Sequence, residues 1–378
     1  MSDKIKLLTL SDHPLSPSGV GTQTKYVIEA LLRTGNFQVV SIGGAVKHGN
    51  QDAVRSIMRT ERPDIIWFMT DPRFWGWLWD MEDEIRCHMP MVYYHVWDNY
   101  PYPDFNKFAY NSNDFIACIS KVTHDIVQTV APNVDSAYVP HAVDEKIFKK
   151  LPDEDVDGFR KQHMAALEGK KVYFWNNRNA RRKQSGTLLF WWKEFLEKIG
   201  SDQATLMMHT DPKDPYGQDL EAIVKTLGMT NGEVLFSTSK LPPEHLSMFY
   251  NIAHCTINIS DAEGFGLATL ESLSCETPIV VCMTGGLQEQ VTDGENWFGY
   301  GLEPESKAVI GSQDIPYIYE DRLNKDDFVN ALVKMHNLTD EQHKNMGTLG
   351  RQHVIKNYNF ENFGSQWVDI MTKIHKEH

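Results

Sequence analysis

An α/β protein built from two doubly wound parallel-sheet domains is what this chain predicts, and three observations predict it. Short apolar, β-branched runs alternate with amphipathic helical stretches in two separate series, the pattern that strand-helix-strand crossovers produce. A length of 378 residues exceeds one ordinary domain. Glycine turns stand where strands pass into helices, the edge at which open parallel sheets bind ligands.

In the first series the expected strands are Ile5 to Leu10, Gln38 to Ile42, Ile65 to Met69, Met91 to His95, Phe115 to Ile119 and Ala137 to Val139, with helices between them such as Gln23 to Arg33. The second comprises Lys171 to Trp175, Ala204 to His209, Val234 to Ser237, Cys255 to Ser260 and Pro278 to Cys282, and Phe360 to Ile374 reads as a last amphipathic helix. The expected division is a domain at 1–150, an acidic interdomain segment at 151–168, a second domain at 169–358 and a terminal helix at 359–378.

Composition narrows the function classes. With 41% hydrophobic residues the chain can bury real cores. A formal charge of −14 does not attract extended polyanions in general, although it permits a local basic channel. The five cysteines are scattered without a CxxC pair, which points to reduced thiols in a cytoplasmic protein and away from zinc. The apolar run near the N-terminus is too short for a signal peptide, and no stretch approaches spanning length, so no integral membrane segment is expected.

The chemistry concentrates between Glu263 and Glu271, in EGFGLATLE. Cys255 to Ser260 reads as a buried strand and Leu267 to Cys275 as a helix, so Gly264, Phe265 and Gly266 form the turn that joins them. Glycine lets backbone approach a ligand, and the first helical turn favours a phosphate. Glu263 then lies at the carboxyl edge of the sheet and Glu271 about one turn into the helix. About twenty residues on, Gly285 and Gly286 open a second strand-to-helix turn. Upstream, the loop NNRNARRKQSG sets Arg178, Arg181, Arg182 and Lys183 after a strand, where cations can meet a diphosphate leaving group.

Together EGFGLATLE, TGGLQEQVTDGEN and the five-residue spacing of Arg178 and Lys183 resemble family four of the retaining glycosyltransferases, the glycosyl transferases group 1. LLTLSDHPLSPSGVGTQ, DFIACISK and VPHAVDEKIF extend the resemblance over most of the chain, although His141-Ala142 stands where the family usually has Asn-Gly. The resemblance implies the GT-B fold: two Rossmann-like domains facing a cleft, with the C-terminal helix crossing back onto the first. It implies a metal-independent retaining glycosyltransferase without a cofactor, using a nucleoside diphosphate sugar, UDP- or GDP-linked, as co-substrate. By the same resemblance Glu271 meets ribose hydroxyls, Arg178 and Lys183 the diphosphate, Glu263 the sugar, and amides around Gly264, Phe265, Gly266, Leu267, Gly285 and Gly286 assist.

In the first domain His95 ends a strand, where the resemblance implies a contact to the donor sugar. Gly19 and Gly21 in SPSGVGTQ would let backbone approach the diphosphate and the acceptor. Aromatics from Trp67 to Tyr102 hint at an acceptor site, the acceptor being a saccharide, a lipid-linked saccharide or a modified DNA base. A DNA-base glycosyltransferase, a nucleotide-sugar epimerase and a nucleotide-sugar binding protein are the alternative readings. The acids at Asp153 to Asp157 formally match a metal-binding DxD, yet they follow Leu151-Pro152 in polar surroundings and read as a solvated segment.

Overall fold

The computed structural model describes residues 4–44 and 49–378. The chain divides into two compact units, the first comprising Met1–Ala142, Val309–Tyr319 and Tyr358–His378, the second Val143–Ala308 and Glu320–Asn357. Residues 151–168 thus pack within the second unit, and a short excursion after Ala308 returns to the first.

In the first unit the strands are β1 (Ile5–Ser11), β2 (Phe37–Gly43), β3 (Ile65–Thr70), β4 (Met91–His95), β5 (Phe115–Cys118) and β6 (Ser136–Tyr138), ordered β2-β1-β3-β4-β5-β6 with every pair parallel. Parallel strands covered on both faces need continuous apolar runs, and IIWFM of β3 and MVYYH of β4 are buried throughout. The terminal helix Phe360–Glu377 belongs to this unit. Its Trp367 is fully buried, edge-on to Trp67 at 5.9 Å and to Tyr94 at 4.9 Å. Gly364 lets it lie against helix Gly19–Arg33, because a Cβ there would stand 2.9 Å from the Ala30 Cβ.

Several of the dense aromatics are core, while Phe74, Trp77 and Tyr100 are only partly buried and Tyr102 is exposed. Trp75 and Trp79 are buried and ring Phe68 at 5.1 and 6.1 Å. The segment His141-Ala142 is held by side chains of its own unit: Tyr94 Oη lies 2.7 Å from His141 Nδ1, and the buried Gln23 amide both donates to and accepts from the Ala142 backbone.

The second unit repeats the architecture with β7 (Lys171–Asn176), β8 (Ala204–His209), β9 (Val234–Ser237), β10 (Cys255–Asn258), β11 (Ile279–Cys282) and β12 (Gly299–Leu302), ordered β12-β11-β10-β7-β8-β9 and again parallel. β12 escaped the sequence reading because its GYGL carries no apolar run; glycine is needed there, since a Cβ at Gly299 would overlap the Ile279 carbonyl on the neighbouring strand. A hairpin, β13 (Ser306–Ile310) and β14 (Ile318–Arg322), also went unread. Asp153, Glu154 and Asp155 form the first turn of helix Asp153–His163, where the dipole favours negative charge. No helix among the described residues is long and apolar enough to cross a membrane.

Candidate functional site

In the second sheet the chain lays down β7, β8 and β9 in one direction, then returns to place β10, β11 and β12 on the other side of β7. β7 and β10 are therefore neighbours at a topological switch point, the place at which open parallel sheets bind ligands. The basic loop follows β7 and the acidic turn follows β10.

There the two loops join through Lys183 and Glu263, both buried, with Lys183 Nζ donating to Glu263 Oε2. The same oxygen accepts Asn258 Nδ2 at 3.2 Å and the Ser260 hydroxyl at 3.4 Å. Burial alone would raise the Glu263 carboxyl, yet the fields of Lys183 and Arg182 prevail and hold it at about 2. Arg182 donates to the Ala262 carbonyl. A buried carboxylate that stays ionised beside a buried ammonium can grip sugar hydroxyls as an acceptor while the cation faces phosphate.

The two glycine turns are in contact. Gly286 N–H donates to the Glu263 carbonyl at 3.2 Å, and a Cβ on Gly286 would stand 2.7 Å from the Phe265 Cα. Gly266, at φ +93°, and Gly285, at φ +48°, occupy the left-handed region. Gln290 clamps the acidic turn by donating to the carbonyls of Phe265 at 2.7 Å and Gly266 at 3.2 Å, and Thr269 donates to the Gly266 carbonyl at 2.7 Å. Helix Leu267–Ser274 starts from Gly266 without a side-chain cap, so its first amides lack both an intrahelical acceptor and a capping oxygen. That is a ready anion site.

Glu271 is partly buried on this helix and accepts the Tyr250 hydroxyl at 2.6 Å, while Tyr250 accepts Asn176 Nδ2 at 2.8 Å. Loss of hydration raises its carboxyl to about 7, against the opposing hydrogen bond from Tyr250. Glu263 and Glu271 thus share a helix start with opposite electrostatics, one stabilised as the anion and one kept near neutrality.

Arg178 does not join Lys183 at Glu263. Its guanidinium is exposed, paired with Asp214 at 2.7 and 3.2 Å and lying 4.5 Å over the Tyr216 ring. In the first unit His95 is fully buried, and its ring nitrogens meet the hydroxyls of Tyr93 at 3.1 Å and Tyr110 at 2.9 Å. Burial lowers it to about 3, so it is neutral at ordinary pH and its polar atoms are engaged inside its own unit. Gly19 opens helix Gly19–Arg33, and Gly21 follows on a tight approach: a Cβ there would meet the His13 and Ser16 carbonyls at 2.8 Å. Ser18 caps the helix by accepting the Gly21 amide at 3.0 Å.

Sequence reasoning missed Tyr250, Asn176, Asn258 and Gln290. Tyr250, Asn176 and Gln290 meet partners more than twenty residues away, whereas Asn258 is only five residues from Glu263. Among the described residues no group of three His, Cys, Asp or Glu side chains is arranged to hold a metal ion.

Comparison with known proteins bears on this geometry. Residues 214–347, which include both glycine turns, match the family model "Glycosyl transferases group 1". Over 77 residues the chain is 43% identical to the D-inositol 3-phosphate glycosyltransferase of Acidothermus cellulolyticus, covering 20% of this chain and 17% of that protein. It is 23% identical over 269 residues to the N-acetyl-alpha-D-glucosaminyl L-malate synthase of Bacillus anthracis, covering 70% of this chain and 61% of that protein. These matches span less than two thirds of either relative. Among solved structures, the sucrose-phosphate synthase of Thermosynechococcus elongatus superposes with a TM-score of 0.77 at 16% identity over 99% of this chain and all of that one. Anabaena HepE, in complex with UDP-glucose, does so at 0.73 and 14% identity over 97% of this chain and 99% of that one.

The fold is GT-B. Two parallel six-stranded sheets flanked by helices are what a GT-B chain consists of, and here the group 1 match falls on the GT-B unit that holds the Lys183–Glu263 pair.

Proposed function

We propose that this protein is a retaining, metal-independent glycosyltransferase that moves a sugar from a nucleoside diphosphate sugar to an acceptor hydroxyl. The observation that carries the reading is the Lys183–Glu263 contact at the switch point of the second sheet, beside the uncapped start of helix Leu267–Ser274. The diphosphate takes the helix amides and Lys183, with Arg182 adjacent; Glu263 accepts sugar hydroxyls and Glu271 accepts those of the ribose. Arg178 reaches the phosphates by exchanging Asp214 for them. As charge develops on the departing diphosphate, fixed amides and the ammonium stabilise it without reorganisation. Retention follows from attack on the same face as the leaving group, with the leaving phosphate accepting the acceptor's proton.

A UDP-sugar is the first donor to test, because UDP-glucose is what the similar Anabaena structure contains. The names of the relatives give small polar acceptors, an inositol phosphate and a malate, so a hydroxyl of a small polyol or hydroxy acid is favoured over a modified base in DNA. Five unpaired cysteines, four of them buried, suit a reducing cytoplasm. The deciding experiment incubates the chain with UDP- and GDP-sugars and a panel of polyol acceptors and measures nucleotide release and product anomeric configuration. Inverted product would overturn retention, and absence of turnover with every pair would leave only a binding protein.

A further inference from the structure

A second ionic network ties the basic loop to the acidic turn. Glu320, buried in the middle of β14, accepts Arg181 Nη2 at 2.6 Å and Nη1 at 2.8 Å, and Arg322 Nη2 at 2.9 Å. Arg322 Nη1 reaches on to Asp261 Oδ2 at 2.9 Å, and that oxygen also accepts Gln184 Nε2 at 2.7 Å. Backbone bonds run alongside: Asp261 N–H donates to the Arg182 carbonyl and Asp321 N–H to the Asp261 carbonyl, each at 2.8 Å. Residues 181–184, 261–263 and 320–322 are thereby stitched together, and Lys183 and Glu263 lie inside two of these stretches.

Burying a carboxylate is costly unless it is paired, and an apolar residue would pack β14 as well. What the ions add is a fixed geometry. Glu320 draws two guanidinium groups to one place, and each is anchored in a different strand or loop. The Arg181 side chain is 59% exposed while Glu320 is 3% exposed, so the carboxylate is the buried fixed point and the arginine the movable arm.

We propose that Glu320 is a positioning residue of the nucleotide-sugar site, acting through Arg181 and Arg322 to hold the basic loop so that Lys183 stands against Glu263. The proposal rests on the nucleotide-sugar reading above and assigns Glu320 no contact with ligand. With Glu320 neutral, Arg181 is released, Arg322 shifts wholly to Asp261, and the loop bearing Lys183 loses its lateral tie.

The test uses the full chain and calorimetric binding of UDP and GDP, with steady-state kinetics wherever a donor is turned over. Glu320→Gln and Arg181→Met should each weaken nucleotide binding about tenfold, and the double variant should be no weaker than either single one, since both break the same tie. The donor KM should rise about tenfold with kcat changed less than about threefold, whereas a merely structural role would lower the active fraction and melting temperature and leave KM alone. Glu320→Asp should restore part of the affinity. Should Glu320→Gln not fold, Arg181→Met, altering an exposed side chain, still decides the matter. Affinity within twofold of the parent in Arg181→Met, or strictly additive losses in the double variant, would overturn the proposal. If the parent chain binds neither nucleotide, it is the nucleotide-sugar reading that falls.

Discussion

Lys183 and Glu263, 80 residues apart in the chain, are each other's ionic partner in the interior of the second unit. The cation proposed for the diphosphate is neutralised by the carboxylate proposed for the sugar, so a donor arriving with phosphate must share or displace that contact.

Glu263→Gln therefore separates binding from transfer. Without the carboxylate's charge, buried Lys183 faces a neutral amide in place of an anion, and the unliganded chain should lose about 3 kcal/mol of stability. A nucleoside diphosphate then supplies the missing negative charge, so the thermal shift produced by UDP should be larger than in the parent while sugar transfer falls about a hundredfold. A smaller shift would show that the pair does not compete with phosphate.

Glu271 makes the site sensitive to pH. Its folded pKa of about 7 lies above the ordinary 4.5, so the protonated form favours the fold below pH 4.5 and that contribution disappears as pH rises through 7. At pH 8 Glu271→Gln should raise the melting temperature of the unliganded chain, because it removes an ionised, dehydrated carboxylate. The same change should weaken nucleotide-sugar binding at pH 8. In the parent chain, affinity should fall about tenfold per unit below pH 7 if the ionised form grips the ribose. A nucleotide sugar is the right probe, since its doubly esterified diphosphate does not titrate there.

The apposed glycine turns give a steric prediction. Gly286→Ala forces a Cβ against backbone on two sides, the Phe265 Cα at 2.7 Å and the Gly264 carbonyl at 2.8 Å, so the turns must separate. A loss of about 1–3 kcal/mol and of the nucleotide-induced thermal shift is expected. Gly294→Ala is the control: at φ +96° with nothing within 4 Å of a Cβ, it strains a turn without touching the site. Equal loss of nucleotide binding in both would refute the role of the apposition.

Buried histidines set the acid limit of the first unit. His95 and His141 are each lowered by burial to about 3 from an ordinary 6.5. The neutral forms stabilise the fold above pH 6.5, and that stability is lost as pH falls towards 3, at about 1.4 kcal/mol per unit for each histidine. Urea denaturation between pH 7.5 and 5 should show the slope, and His95→Gln should flatten it while costing stability at pH 7.5. An unchanged slope would mean that His95 is accessible to protons in the folded chain.

Much of the Glu263–Glu271 turn and helix was legible beforehand because it is local. Gly266 sits in EGFGLATLE where only glycine tolerates its dihedral, and Glu263 and Glu271 have a spacing dictated by a turn and one helical revolution. The partner of Arg178 was not legible, because spacing cannot reveal Asp214, which pairs with its guanidinium from the loop after β8. For His95 the family resemblance implied a donor contact, whereas its burial, with Tyr93 and Tyr110 closing around the ring, is a tertiary property that the sequence did not show. Glu320 gave no signal, since β14 is short and polar and its partners are remote in sequence.

The amino-acid sequence by itself determined the two strand-helix series, the glycine turns and which carboxylates flank them, because periodicity and backbone freedom are properties of neighbouring residues. Tertiary structure alone decided which cation meets which carboxylate and which polar groups lose their water. Those outcomes depend on distance and burial, and for residues as far apart as Lys183 and Glu263 both are created only when β7 and β10 pair side by side.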